Sequence, residues 1–151
     1  MRRTWLIVPL ALTLIIAGIL IFFPSDKKRV WKVIVSSEKA ISDENLDGLM
    51  ENISYNYRDE YGGTFLLAMR RMQSVFNKFN KIDTELQLIK ISVNNKEAEA
   101  EINVRVTATH GEDSSYIIAD PVNWQRMIIY LDKSPYTWKI IKVKGLVDYD
   151  Q

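Results

Sequence analysis

The spacing of hydrophobic and polar positions changes along the chain, and each change predicts a different kind of element. Residues 5–23 (WLIVPLALTLIIAGILIFF) form an apolar run of nineteen positions without a charge. As a helix this run is about 28 Å long, close to the roughly 30 Å hydrocarbon core of a bilayer. We therefore predict an N-terminal transmembrane anchor at 1–24, which attaches the protein to a membrane via residues 5–23. A second unit, a domain at 25–151, follows it.

The alternative for this run is a cleaved signal peptide, which begins with the same kind of basic residues and apolar stretch. Cleavage requires small residues, whereas the run ends in Ile21-Phe22-Phe23-Pro24, so an uncleaved anchor is favoured. Basic residues flank both ends, and the positive-inside rule is nearly balanced. Because a short basic N-terminal tail favours a cytoplasmic N-terminus, we expect a single-pass protein of the cell membrane with an extracytoplasmic (periplasmic) domain.

Helical spacing follows the anchor. Ser25 precedes Asp26 and can cap a helix. The segment VWKVIV at 30–35 also alternates with period two, so a strand stays open in this window. The acidic residues after Ser42 predict a second, shorter helix through Met50. The stripe of the first helix comprises Val30, Val33, Ile34, Ser37 and Ile41.

A third helix is predicted after a short aromatic strand at 53–57 (ISYNY). Gly62 and Gly63 indicate a turn, and Thr64 can cap the helix that follows. Apolar side chains then recur at spacings of four, three, four and three, which places them on one face of a helix that ends near Asn80. We interpret this face as core rather than as a cofactor site. It comprises Phe65, Met69, Met72, Phe76 and Phe79.

In the second half of the chain the period becomes two, which is typical of strands with one buried face. The alternation is clearest at 98–108, where small and branched apolar residues alternate with polar ones. A partner strand is predicted at 85–93, joined through the turn 94–96. A further pair is predicted at 125–131 and 137–147. In the last of these strands Ile140 and Ile141 break the alternation, which indicates a bulge or a bend.

Composition narrows the class of protein. The 151 residues hold 20 Lys and Arg against 19 Asp and Glu, and no cysteine. The length allows one domain and an appendage. The absence of cysteine excludes a disulfide framework, thiol catalysis and Cys-ligated zinc. Because no contiguous basic stretch occurs after residue 32, we expect no nucleic-acid partner.

The order of elements resembles that of the nuclear transport factor 2-like (cystatin-like) superfamily. The matching segments are ISYNYRDEYGG before the long helix, PVNW at 121–124 and the terminal TWKIIKV. The resemblance implies an α+β domain in the shape of a cone, with about three helices packed on a curved antiparallel sheet and often a pocket at its open end. Its members include isomerases, polyketide cyclases, dehydratases and transport factors, so the fold does not name a function.

The candidate pocket-mouth residues are three tyrosines and an acid before the long helix, together with one tryptophan. Asp59 could serve as a base and the tyrosines as hydrogen-bond donors, but packing and turn formation are the favoured interpretation. A small-molecule ligand at this mouth stays open. The five residues are Tyr55, Tyr57, Asp59, Tyr61 and Trp124.

The clearest inward face, at 98–108, carries no acid. We therefore assign no catalytic residue and no cofactor, and whether the protein is an enzyme stays open. His110 lies near Glu112 and Asp113, but a metal site needs more ligands held in a fixed geometry, so we assign no metal.

Residues 127–131 (MIIYL) are apolar on both faces of a strand. One face fills the core, so the other needs cover from a neighbouring strand, the C-terminal segment or a second subunit. Members of the superfamily often pair through the outer face of the sheet, which makes Ile128 and Tyr130 candidate interface residues for a homodimer or a protein partner. The sequence thus favours a single-pass, membrane-anchored, non-enzymatic binding or assembly module. The alternative is a membrane-tethered lyase or isomerase of the polyketide cyclase or ketosteroid isomerase type, using a pocket at the mouth of the cone.

Overall fold

The computed structural model describes residues 25–146, which form three helices and five strands. The predicted anchor at 1–24 lies outside the described residues. Within residues 25–146 no helix has both the length and the apolar character needed to cross a bilayer. The helices are α1 (Asp26–Ser42), α2 (Leu46–Glu51) and α3 (Phe65–Lys78). The strands are β1 (Lys81–Asn94), β2 (Glu97–His110), β3 (Asp113–Ile118), β4 (Gln125–Lys133) and β5 (Trp138–Lys144).

All five strands belong to one antiparallel sheet in the order β1-β2-β4-β5, with β3 beside β2. Residues 97–109 of the long strand β2 pair with β1. Residues 97–104 of β2 pair with β4, and residues 106–110 pair with β3. The α+β class and the antiparallel sheet predicted from the sequence are confirmed.

One face of the sheet is buried beneath the helices, and we call it the inner face. The alternation predicted at 98–108 is confirmed, because the apolar positions of β2 are buried and the polar ones between them are not. α1 packs across β1, β2 and β5 and buries its own apolar stripe there. Residues 30–35, for which helix and strand were both open, are therefore helical. The core side chains that α1 contributes are Val30, Ile34 and Ala40.

One predicted boundary and one predicted strand in the helical half are wrong. The second helix was predicted to begin just after Ser42, but α1 continues through Ser42, and Glu44 then takes a left-handed conformation with φ of 54°. Asn45 caps α2 by accepting a hydrogen bond from the Gly48 N–H at 3.0 Å. The predicted strand at 53–57 does not form, and the chain there makes only the isolated bridge of Ile53 to Ile140.

The structure also contains a strand that the sequence analysis missed. β3 lies just after His110, where no strand was predicted, and it pairs with the end of β2. Its residues are mostly exposed, so the alternation of buried and polar positions that identifies β2 is absent.

The predicted irregularity in the last strand is a β-bulge. Tyr130 pairs with Lys142 and Leu131 pairs with Ile140, so Ile141 is the extra residue. The bulge allows Ile140 to face the core while Lys142 faces outward. It also frees carbonyl groups that hold the segment before α3.

Candidate functional site

The predicted pocket-mouth segment is held against β5 by main-chain hydrogen bonds. The Ile140 N–H donates to the Asn52 carbonyl at 2.8 Å, and the Ser54 N–H donates to the Ile140 carbonyl at 2.8 Å. The Arg58 N–H donates to the Ile141 carbonyl at 2.9 Å. These bonds satisfy backbone groups in a segment that has no regular structure of its own, and they fix the positions of the tyrosines and Asp59.

Asp59 is buried, with 7% of its surface exposed, and its carboxylate closes the turn before α3. One oxygen, Oδ1, accepts hydrogen bonds from the Tyr61 N–H at 2.9 Å and the Gly63 N–H at 2.5 Å. The other, Oδ2, lies 3.4 Å from the Arg71 guanidinium. This is the arrangement of an Asx turn, in which the carboxylate replaces missing backbone acceptors. The charge of Asp59 therefore serves the local fold.

The three tyrosines of the candidate mouth point to different surroundings. Tyr57 is buried, and this burial, with the nearby charge of Asp59, raises its pKa to about 12. Tyr55 is 84% exposed and its ring lies 4.7 Å from that of Phe65. The Tyr61 hydroxyl donates to the Leu146 carbonyl at 3.1 Å. The structure does not bring the three hydroxyl groups together around Asp59.

Two open depressions lie near the helical side of the domain. One, of about 380 Å³, is lined by Tyr55 and Phe65 with side chains of α2. The other, of about 370 Å³, lies between α1 and the start of β5 and includes Lys32, Tyr136 and Lys139. Tyr55 is therefore the one member of the predicted mouth that lines either depression.

Trp124 lies against the side of the sheet opposite the helices, which we call the outer face. Its ring is 4.3 Å from the Arg105 guanidinium carbon. Arg105 occupies a polar position of β2 between buried Val104 and Val106, and it donates to Glu85 at 2.5 Å on the neighbouring strand. Trp124 thus stacks on a cation of the outer face.

His110 is held by a contact with the main chain. Its Nδ1 lies 2.7 Å from the Lys78 carbonyl, and its ring meets the Phe79 ring edge to face. Among the residues that the structure describes, no group of three or more His, Asp or Glu side chains could hold a metal ion.

Ile128 and Tyr130 lie on the outer face of β4, because Met127, Ile129 and Leu131 between and beside them are buried. Tyr130 is flanked by Glu99 on β2 and by Lys142 on β5. The same register extends along the sheet, so the outer face carries three parallel rows. They are an acidic row on β2 (Glu97, Glu99, Glu101), an apolar pair on β4 (Ile128, Tyr130) and a basic row on β5 (Lys142, Lys144). The ammonium of Lys139, nearer the start of β5, instead donates to the Glu51 carbonyl on the helical side.

Contacts within the outer face partly cover the apolar pair. The Lys144 ammonium lies 5.3 Å from the centre of the Tyr130 ring, and Arg126 forms an ion pair with Glu101. Glu99 and Glu101 point outward, as the alternation predicted at 98–108 requires. The basic row was not predicted from the sequence, because it is the bulge at Ile141 that turns Lys142 and Lys144 to the outer face.

Comparison with known proteins identifies the fold. No family model matches the sequence, and no curated protein matches it. Bd1075 of Bdellovibrio bacteriovorus superposes with a TM-score of 0.64 at 17% identity, over 82% of this chain and 41% of that one. A putative scytalone dehydratase from Novosphingobium aromaticivorans superposes with a TM-score of 0.67 at 9% identity, over 82% and 89%. An NTF2-like superfamily protein from Salmonella enterica serovar Typhimurium superposes with a TM-score of 0.64 at 17% identity, over 82% and 92%.

These identities are too low to transfer an activity, and the chain spans less than half the length of the Bdellovibrio protein. What the superpositions show is a shared fold. The chain therefore has the nuclear transport factor 2-like fold.

Proposed function

We propose that this protein is a single-pass membrane protein whose domain is a non-enzymatic assembly module that forms a homodimer through the outer face of its sheet. The observation that carries the proposal is the spatial order of three rows of side chains on that face: acidic on β2, apolar on β4 and basic on β5. Such a surface is complementary to a copy of itself. A two-fold dimer uses the same patch twice, so self-complementarity is what its interface requires.

The rows select one orientation of the two-fold axis. If the axis runs along β4, the β2 row of one copy faces the β5 row of the other, and Glu99 meets Lys142 twice. If the axis runs across the strands, the acidic row faces its own copy, and like charges repel. In the favoured orientation Ile128 and Tyr130 pack against their copies at the centre, where apolar side chains contribute most to an interface.

The same axis is compatible with two anchors in one membrane. At the end of β4, the Lys133 ammonium and the Trp138 indole N–H donate to Asp26 at 2.9 Å and 3.2 Å. Asp26 is the first residue of α1 and follows the predicted span at 5–23 closely. Because a two-fold axis along β4 leaves the end of β4 on the same side in both copies, both predicted spans enter the same bilayer.

The lyase or isomerase alternative needs an acid or base directed into an open pocket. Asp59 is the buried carboxylate among the described residues, and its oxygens are engaged by the Gly63 and Tyr61 N–H groups and by Arg71. From Ala98 to Ala108 the inner face of β2 carries only apolar side chains. These features support binding and assembly over catalysis.

A charge swap tests the proposed dimer. We expect Glu99→Lys or Lys142→Glu alone to weaken dimerisation of the full chain in detergent by about tenfold, because each change creates two like-charge contacts, each costing roughly 0.5–1 kcal/mol. The double variant restores the pairs with reversed sign and should recover the wild-type dissociation constant, measured by sedimentation equilibrium. Arg70→Glu, on the exposed surface of α3, is the control for a change of net charge.

Two outcomes contradict the proposal. The interface is wrong if Ile128→Glu, which places a charge at the centre of the outer face, leaves the dimer intact while the domain stays folded. The anchor is wrong if the mature chain is recovered from the aqueous fraction without residues 1–24.

A further inference from the structure

At one end of the domain, the start of α1 lies beside the end of β4 and the β1–β2 turn. The start of α1 is fixed to the end of β4 by the contact of Asp26 with Lys133. The Lys133 N–H donates to the Lys96 carbonyl at 2.8 Å, which brings the β1–β2 turn to the same place. The β4–β5 turn at 134–137 follows Lys133 directly. We call this part of the molecule the anchor-proximal end.

The anchor-proximal end is rich in exposed cations. Exposed lysines occupy the first two turns of α1 and the β1–β2 turn, and they are Lys27, Lys28, Lys32 and Lys96; Arg29 beside them is partly exposed. Asp26 lies among these cations, and hydrogen bonds from Lys133 and Trp138 lower its pKa, so its carboxylate stays ionised. The adjacent ammonium of Lys133 balances that negative charge. Glu97 and Asp132 also lie near this end, as a register pair on the outer face.

The depression beside α1 opens at this end. Arg29, Lys32 and Lys139 line it together with Tyr136, which is 83% exposed on the β4–β5 turn. A tyrosine beside lysines and arginine is a combination found where proteins meet the headgroup region of a bilayer, because the ring is amphipathic and the cations meet phosphate.

We infer that the anchor-proximal end docks on the anionic headgroups of the bilayer that holds the predicted span. The inference rests on the proposed membrane anchoring. Asp26 lies three residues beyond residue 23, which limits its distance from the span to roughly 10 Å. The first cations of α1, Lys27, Lys28 and Arg29, then lie within about two Debye lengths of the headgroup charge at physiological salt. Docking holds the domain upright on the membrane, with the outer face of the sheet free to meet a second copy.

The chain has no cysteine, so a single introduced thiol can carry an environment-sensitive dye. Ser134→Cys places the dye on the β4–β5 turn of the full chain, reconstituted in nanodiscs of phosphatidylcholine alone or of phosphatidylcholine and phosphatidylglycerol in equal parts. Glu112→Cys is the matched control, because it lies at the other end of β2, about 40 Å away. We expect a blue shift of the emission at Ser134→Cys in the anionic discs and none at Glu112→Cys.

Charge-reversed variants test the cause of that shift. Lys32→Glu with Lys96→Glu should abolish it, whereas Arg70→Glu with Lys78→Glu, the same change of charge on α3, should leave it. Lys32 and Lys96 are used because they lie farther along the chain from the predicted span than Lys27 and Lys28. Reversing their charge therefore leaves the basic residues that orient the span in place.

The outcomes separate this inference from the proposed anchoring. A chain that fails to enter the discs contradicts the anchor. A chain that enters them but emits identically in both lipids, or keeps its shift in the Lys32/Lys96 variant, contradicts docking. A shift produced in phosphatidylcholine discs by inorganic phosphate alone also overturns docking, since a soluble anion would then be the ligand.

Discussion

Asp59 and Gly63 show at the scale of single residues how the turn before α3 is built. The Gly63 N–H donates to Asp59 Oδ1, and the Asp59 N–H donates back to the Gly63 carbonyl at 3.0 Å. A Cβ atom at Gly63 would lie 2.1 Å from Asp59 Oδ2. The glycine is required here by the close approach of the carboxylate, since a methyl group cannot occupy that space.

We therefore predict that Gly63→Ala lowers the free energy of unfolding by about 1–3 kcal/mol, because Asp59 must leave its donors or the backbone must shift. Urea unfolding of the purified protein measures this. Gly62→Asn is the control: Gly62 has φ of 81° and open space at its Cβ, and asparagine tolerates the left-handed conformation. Equal losses in both variants would contradict the role of Asp59 in the turn.

Tyr57 gives the domain a sensitivity to alkaline pH. Its pKa is about 12 in the folded protein, against 10.0 for an ordinary tyrosine. The unfolded chain therefore ionises first as the pH rises, and the stability that Tyr57 contributes is complete below pH 10 and declines between pH 10 and 12.

We predict that Tyr57→Phe removes this part of the alkaline loss. By about pH 11 the wild type should have lost about 1 kcal/mol more than the variant, relative to neutral pH. The free energy of unfolding at both pH values measures the difference. Tyr55→Phe, at a position that is 84% exposed, controls for removing a tyrosine. A variant that loses as much stability as the wild type would contradict the burial of the Tyr57 hydroxyl.

At the scale of elements, the sequence predicted those strands and helices whose side chains have one buried and one exposed face. β2 is the clearest case, because six apolar positions from Ala98 to Ala108 alternate with polar ones and the structure buries all six. The bulge at Ile141 was also predicted, since two consecutive apolar residues cannot both face the core in a regular strand.

Elements without that pattern were not predicted correctly. β3 is mostly exposed, so its sequence carries no alternation, and its pairing with β2 is a tertiary effect. The aromatic residues at 53–57 suggested a strand by composition, but this segment follows β5 through isolated hydrogen bonds from Ser54 and Arg58. Aromatic content indicates burial or contact, and pairing depends on neighbours distant in sequence.

The candidate site was predicted less completely than the fold. The sequence grouped Tyr55, Tyr57 and Tyr61 because they are close along the chain, whereas their side chains meet solvent, the core and the C-terminal segment. It proposed Ile128 and Tyr130 as interface candidates from their apolar character, and that stays a prediction. The rows that flank them depend on the register of three strands, which the sequence of any one strand does not contain.

At the scale of the whole molecule, two independent features select the same axis for the proposed dimer. The charge rows require β2 of one copy to face β5 of the other. The predicted spans require the same end of β4 to point at the membrane in both copies. Together they make the direction of the axis a measurable property of the protein, distinct from the existence of a dimer.

Cross-linking between different positions measures that direction. Because facing sheets lie about 10 Å apart, a short bismaleimide cross-linker, rather than a disulfide, can join thiols across the interface. Glu99→Cys and Lys142→Cys are made in chains that carry tags of different size and are mixed in one membrane. With the axis along β4, residue 99 of one copy lies opposite residue 142 of the other, whereas two copies of residue 99 are displaced sideways by about two strand spacings, roughly 10 Å. We therefore predict that the mixed species is cross-linked in clear excess over either homogeneous species. An axis across the strands predicts the reverse, because each cysteine would then face its own copy, and that result would also place the two predicted spans at opposite ends of the dimer.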